Sequence, residues 1–201
     1  MRATVWAMAA MVVLSGAGSA AAVDLSNPAF TKERGATSTP VGYYQFCKMW
    51  PAECVGRDAT NPVVLTDPLW QQLTSVNLAV NAAVRPVTDQ DLYHVAEYWT
   101  YPQGGAGDCE DFVLEKRREL IANGWPEADL LIAVVRKLDG EGHAVLIAHT
   151  DRGDLVLDNL DGGVRVWSDT PYVYVKRQSG ADNRQWVGLE DNRQILSASI
   201  K

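Results

Sequence analysis

Cys109, His143 and Asp158 are the residues whose types and order in this chain can carry nucleophilic chemistry. Cys109 sits in Gly107-Asp108-Cys109-Glu110-Asp111-Phe112, behind Gly104, Gly105 and Gly107 and ahead of a stretch with helical spacing. A thiol at a helix N-terminus feels the positive end of the helix dipole, which favours the nucleophilic thiolate. Such a thiol needs a base that carries a proton near neutral pH, which points to an imidazole. His94 falls on an upstream helical stretch and reads as a surface or packed residue. His143 opens the strand-like run HAVLIAH and His149 ends it, and alternation puts both on one face. A third group should orient the imidazole. Asp158 ends the next apolar run, Leu155-Val156-Leu157-Asp158-Asn159. If 151–154 turn as a two-residue hairpin, Asp158 lies opposite Val145 or Ile147. In the Val145 register it is a diagonal neighbour of His143, about 7–8 Å away. An unpaired carboxylate there is costly, and pairing with an imidazole removes the cost. Taken singly, each residue has a bland reading as a surface aspartate, a packed histidine or a buried thiol. The three together, in this order, weaken that reading.

Cys109 is also the odd one of three cysteines. Cys47 and Cys54 flank a short segment containing Pro51, whose turn-like composition can bring the two Cα atoms within bridging distance. A 47–54 disulfide closing a small loop is expected, which leaves Cys109 as the free thiol. Asp108, Glu110 and Asp111 crowd that thiol. Nearby anions raise a thiol pKa. Either these carboxylates serve as ordinary helix N-terminal acids pointing away, or a cation neutralises them.

The elements that must position these groups read as helices first and strands after. Asp24 to Pro40 reads as an extended arm or loop, and Val41 to Pro62 holds the cysteine loop. Asp67-Pro68 reads as a cap and first helical residue, with Leu69, Leu73, Val76, Val80 and Val84 at helical spacing and Pro86 as the stop. Thr88 to Tyr98 repeats the device, and Tyr101 to Gly107 breaks it. A third helix runs from about Cys109 to Ala122, with Asn123-Gly124 as its C-terminal signal. After Trp125-Pro126 come short runs rich in Val, Ile and Leu at 130–137, 143–149, 155–159, 164–167 and 173–177, separated by turn signals. The expected fold class is α+β, with N-terminal helices packed on a C-terminal antiparallel meander. The tail from Ser179 is polar, and Trp99, Trp125 and Trp186 read first as core residues.

The chain has 201 residues and is 47% hydrophobic, enough for a single domain with a sizeable core. With 18 basic against 25 acidic residues, it lacks the basic surface a general nucleic-acid binder needs. Residues 1–22 read as a signal peptide: Arg2, an apolar run from Ala3 to Leu14, and Ala20-Ala21-Ala22 at the cleavage site. The expected mature domain is 23–201, exported to a bacterial periplasm.

GDCEDF, then KRRELIANGWP, then HAVLIA and LVLDN, in this order, resembles the bacterial transglutaminase-like cysteine peptidases, of which the LapG-type periplasmic proteases are the best-known members. The likeness runs from about Tyr43 to Trp186. It implies a papain-like, transglutaminase-like core with a Cys-His-Asp triad of Cys109, His143 and Asp158. It implies calcium dependence, with ligands among Asp108, Glu110 and Asp111. Papain-like peptidases also use an oxyanion glutamine at a distance similar to that of Gln103, although a plain loop glutamine reads as well here. The resemblance further implies a protein substrate, the N-terminal region of a large surface adhesin, and an inner-membrane cyclic-di-GMP receptor that sequesters the protease. It implies no organic cofactor. Two other readings stay open: acyl transfer to an amine on the same triad, and a non-catalytic binding module of the same fold.

Overall fold

The computed structural model describes residues 29–56, 61–182 and 184–192, so the expected signal peptide at 1–22 lies outside the described residues. Four helices are described: α1 (Val41–Met49), α2 (Asp67–Ala83), α3 (Asp89–Tyr93) and α4 (Cys109–Ala122). The strands are β1 (Lys32–Thr37), β2 (Arg85–Pro86), β3 (Ala106–Gly107), β4 (Leu130–Arg136), β5 (Gly142–Thr150), β6 (Gly153–Leu157), β7 (Arg165–Val166), β8 (Val173–Gln178) and β9 (Trp186–Glu190).

α4 is the helix the sequence describes best. It starts directly after Gly107-Asp108 and stops because Gly124 adopts a left-handed φ of 93°. Gly124 N–H then donates to Ile121 O and Trp125 N–H to Leu120 O, which satisfies the last carbonyls and tucks Trp125 into the core. α2 has Pro68 in its first turn and buries Leu73 and Val80, although the cap position is Thr66 rather than Asp67. α4 packs on β5 on one side and on α2 on the other.

β4, β5 and β6 are buried along almost their whole length, as expected of strands covered on both faces. β5 and β6 form a hairpin in which Thr150 faces Gly153 and Leu146 faces Leu157. The turn is therefore two residues, Asp151 and Arg152. Continuing the register sets Asp158 against Val145.

Several expectations are corrected. β4 to β7 do form a meander, but β8 returns to pair with the other edge of β4, giving the sheet order β1-β9-β8-β4-β5-β6-β7. A strand buried on both faces cannot leave its second edge unpaired. The polar tail supplies β9, whose Trp186 is 1% exposed and packs edge-on against Tyr43. The supposed N-terminal arm supplies β1, which pairs with β9 across a register shift between Glu33 and Gly35. The cysteine segment is a helix, α1, followed by a short 3-10 turn that brings Cys47 and Cys54 together as the expected disulfide, with Cα atoms 5.5 Å apart. Gly42 of α1 touches Trp99 so closely that a Cβ there would lie 2.2 Å from the indole.

The helix expected over 88–98 ends at Tyr93. Thr88 caps it by accepting from Asp91 N–H, but His94 turns left-handed, with φ 60°. The chain folds back because Asp89 Oδ2 accepts the N–H of Tyr98.

Trp186→Ala is expected to cost about 3–5 kcal/mol of stability by opening a cavity under β9. Urea denaturation checks this, and a loss below about 1 kcal/mol would mean that the tail is not part of the core.

Candidate active site

The site forms where the start of α4 meets the start of β5. Cys109 and His143 line one cleft of about 390 Å³, together with Glu110, Ala144, Trp99 and Glu97. The helix delivers the thiol at its first residue, and the strand delivers the imidazole at its second. Beneath them, His143 Nε2 lies 2.8 Å from Asp158 Oδ1, with both side chains nearly inaccessible. Nδ1 is the ring nitrogen this leaves for the cleft. Asp158 is further held by the N–H of Leu160 at 3.0 Å and by the hydroxyl of Tyr172, which donates to Oδ2. The Tyr172 ring also lies against His143, 5.4 Å between centroids. Burial alone would raise the Asp158 carboxyl. The hydrogen bonds and the His143 charge outweigh burial and hold it below its ordinary value.

His149 makes a second imidazole–carboxylate pair, with Asp154 at 2.6 Å, at the other end of β5. No thiol lines it. Asp154 instead ties down Thr31 through the backbone N–H and the hydroxyl, so this pair fastens the N-terminal segment to the sheet.

The acidic residues around Cys109 divide into two groups. Glu110 is turned to the thiol, which donates to its Oε2 at 3.1 Å. Burial and this carboxyl push the thiol well up, while the Ala144 N–H pulls the other way. Glu110 itself is pushed up to about 9 by burial and by Asp108. The second group is Asp89, Asp108 and Asp111, whose oxygens lie within 4.8 Å of one another. Each uses one oxygen to hold a backbone amide: Asp89 holds Tyr98, Asp108 holds Asp89 and Asp111 holds Thr100. Each leaves its other oxygen, Asp89 Oδ1, Asp108 Oδ1 and Asp111 Oδ2, buried with no hydrogen-bond partner. Burial, with the neighbouring carboxylates, raises Asp111 to about 8 and Asp89 to about 6. Gly107 is needed beside this cluster, because a Cβ there would lie 2.4 Å from Asp111 Oδ2.

Comparison with known proteins now bears on this geometry. The family model described as bacterial transglutaminase-like cysteine proteinase (BTLCP) matches residues 33–194. The chain belongs to that family. Its fold is accordingly transglutaminase-like, and the family is one of cysteine peptidases. Among solved structures, calcium-bound LapG of Legionella pneumophila is 30% identical, with a TM-score of 0.48, over 53% of this chain and 63% of that one. The EGTA-treated form of that protein is 31% identical, with a TM-score of 0.47, over 53% and 61%. These matches span less than two thirds of the Legionella chain. No curated protein matches.

Of the residues singled out by sequence, Cys109, His143 and Asp158 come together as one cluster, and Cys47 and Cys54 are bonded. Gln103 does not join them: it is exposed on the short turn before β3 and does not line the cleft. Gly104 and Gly105, with left-handed φ of 69° and 71°, make the turn that carries Gln103 outward. Asp108 and Asp111 share a cluster with Asp89, and Asp108 also lies within 4.8 Å of Cys109 Sγ and a Glu110 oxygen, so all three acids singled out by sequence stand in a group that could hold a cation. Asp89 and Tyr172 escaped the sequence reading. Asp89 lies in the first turn of α3 and Tyr172 just before β8, and neither position carries a local signal of its partner. Trp99, Trp125 and Trp186 are all buried, and Trp99 also forms part of the cleft wall.

Tyr172→Phe keeps the ring on His143 but leaves Asp158 Oδ2 without its donor. A stability loss of about 1–3 kcal/mol is expected. Denaturant unfolding measures it without any assay of activity, and an unchanged midpoint would mean that the hydroxyl contributes nothing to holding the carboxylate.

Proposed function

We propose that this protein is a calcium-dependent cysteine endopeptidase exported to the periplasm. The observation that carries the reading is the cluster itself: a free thiol at a helix start and an imidazole lining one cleft, with the far ring nitrogen on a buried carboxylate. In this reading Cys109 Sγ attacks a peptide carbonyl. His143 accepts the thiol proton through Nδ1 and returns it to the leaving amine. Asp158 keeps the ring in the tautomer and orientation this requires, and it stabilises the imidazolium. The N–H of Cys109, in the first turn of α4 where the helix itself supplies no acceptor, would donate to the oxyanion. Water admitted to the cleft then hydrolyses the acyl-enzyme.

The cation reading rests on the three orphaned carboxylate oxygens. Asp89, Asp108 and Asp111 would hold calcium, with backbone carbonyls or water completing the six to eight positions that ion takes. Bound there, it supplies positive charge beside the thiol and ties together the three segments that frame the cleft. The calcium-bound and EGTA-treated forms of the Legionella relative are in keeping with this. The proposed substrate is a protein, specifically the N-terminal region of a large surface adhesin. An inner-membrane cyclic-di-GMP receptor is the proposed partner that withholds the enzyme.

The test is digestion of a proteome-derived peptide library by the chain from Val23 onward, read by mass spectrometry with calcium and with EGTA. Internal cleavages are expected with calcium, reduced at least about 10³-fold in Cys109→Ala and in His143→Ala. Cleavage that survives Cys109→Ala, or none in either condition, overturns the reading. A fluorescent primary amine in the same mixture distinguishes acyl transfer, which would give labelled peptides in place of hydrolysis.

Asp89→Asn is expected to weaken calcium binding by at least about tenfold in calorimetric titration, because one of three anionic ligands becomes neutral. Equal affinity in the variant would remove Asp89 from the ligand set.

A further inference from the structure

Lys176 enters the cleft two strands away from the imidazole. It is the one lysine or arginine among the described residues that line the cleft. The sheet register puts it there. Val134 of β4 stands opposite Ala144 of β5 on one edge and opposite Lys176 of β8 on the other. Residues directly opposite share a face, so Ala144, Val134 and Lys176 form one row leading away from His143. Strands lie about 4.8 Å apart, which sets Lys176 about 10 Å from β5 along this row. β4 is buried from Leu130 to Val135 except at Val134, where the cleft opens over it.

The Lys176 ammonium is held without being neutralised. It donates to the Ser38 carbonyl at 2.7 Å and to the Ser38 hydroxyl at 3.3 Å. Both acceptors are uncharged, and an ammonium has a third N–H to offer. Lys32, Arg117 and Arg177 each pair with a carboxylate, whereas Lys176 forms no ion pair among the described residues. The acids of the cleft are engaged elsewhere: Glu97 accepts from the Trp99 indole and Glu110 from the thiol. Ser38 belongs to the short link between β1 and α1, and Pro40 of that link forms part of the cleft wall. Beyond Lys176 the row meets Gly188 of β9, which raises no side chain in the path of a bound peptide.

We infer that Lys176 is a specificity-determining residue that selects protein substrates carrying an aspartate or glutamate about three residues from the scissile bond. The inference rests on the peptidase reading and names what that site accepts. The bond to be cut lies at Cys109 and His143. An extended peptide advances about 3.3 Å per residue, so about three residues cover the 10 Å or so from β5 to Lys176. A carboxylate at that point meets the remaining N–H of a fixed ammonium, a charge-assisted hydrogen bond beside the apolar Val134. A lysine or arginine at that point meets a like charge and is rejected. Lys176 itself forms and breaks no covalent bond.

The test has two steps, both with the chain from Val23 onward and calcium. First, the peptides cut from the proteome-derived library are aligned on the scissile bond. Aspartate and glutamate should be enriched at one position about two to four residues away. An even spread of acids overturns the inference. Second, one cut peptide is synthesised with Asp, Asn or Lys at that position, and kcat/KM is measured for each. The parent protein should prefer Asp over Asn by about tenfold, and the gap should narrow in about 1 M salt. Lys176→Glu should reverse the order, cutting the Lys peptide faster than the Asp peptide. Only the ratio is read, so a general loss of activity from a loosened 38–40 link cancels. A lysine that merely braces that link would leave the Asp-to-Lys ratio unchanged, and that result overturns the inference. If Lys176→Glu does not fold, Lys176→Gln keeps a donor for Ser38 and should erase the preference for Asp over Asn. A preference that survives in Lys176→Gln overturns the inference equally. A parent protein that cuts no peptide sinks the peptidase reading and this inference with it, whereas cleavage indifferent to acids sinks this inference alone.

Discussion

The buried carboxylate of Asp158 is the constraint around which the site is arranged. A charge this far from water is tolerated only if its oxygens are satisfied. Here a ring nitrogen, a phenol and a backbone amide satisfy them. Each of these donors comes from a different place: the start of β5, the approach to β8 and the turn after β6. Meeting the needs of one carboxylate therefore fixes three segments at once, and the imidazole orientation follows from that rather than from the cleft. Asn81 of α2 adds a further tie by donating to the Asp158 backbone carbonyl at 2.8 Å. The helix layer is thereby registered on the same residue.

The acidic collar around Cys109 works by the same physics with the opposite outcome. Asp89, Asp108 and Asp111 each hold one amide and leave one oxygen with nothing to bind. Three carboxylates this close together are unfavourable without positive charge, and burial pushes Asp111 and Asp89 towards the neutral form. The arrangement is comprehensible as a ligand set. The amides it holds belong to the stretch that carries Trp99 to the cleft, so the charge balance of the collar and the shape of the cleft are linked. Glu110, one residue from the thiol, belongs to the cleft instead and restrains the sulfur directly.

The sheet supports this arrangement from behind. β4 and β5 are buried on both faces and paired on both edges, and β8, β9 and β1 extend the sheet to one side. Trp186 on β9 meets Tyr43 on α1, and Tyr43 meets Trp99. One aromatic chain thus runs from the far strands to the cleft wall.

The sequence alone determined what depends on neighbours along the chain. The Gly107-Asp108-Cys109 start and the Gly124 stop define α4 because helix caps are local. The two-residue turn at 151–152 sets the β5–β6 register, and with it the meeting of His143 and Asp158, because a hairpin register follows from its turn. The disulfide followed from a short loop. Tertiary structure decided the rest. Asp89 joins Asp108 and Asp111 because β2 pairs with β3, setting Pro86 against Gly107, a pairing that no local periodicity announces. Tyr172 reaches Asp158 from the segment just before β8, and β1 and β9 pair across most of the chain's length. Gln103 precedes Cys109 by six residues, yet it lies exposed on a turn in which Gly104 and Gly105 are left-handed. Lys116 opens a KRRE run, and only the packing of α4 against α2 and β5 buries it. These contacts join segments distant along the chain, and a local pattern carries no record of where a loop returns.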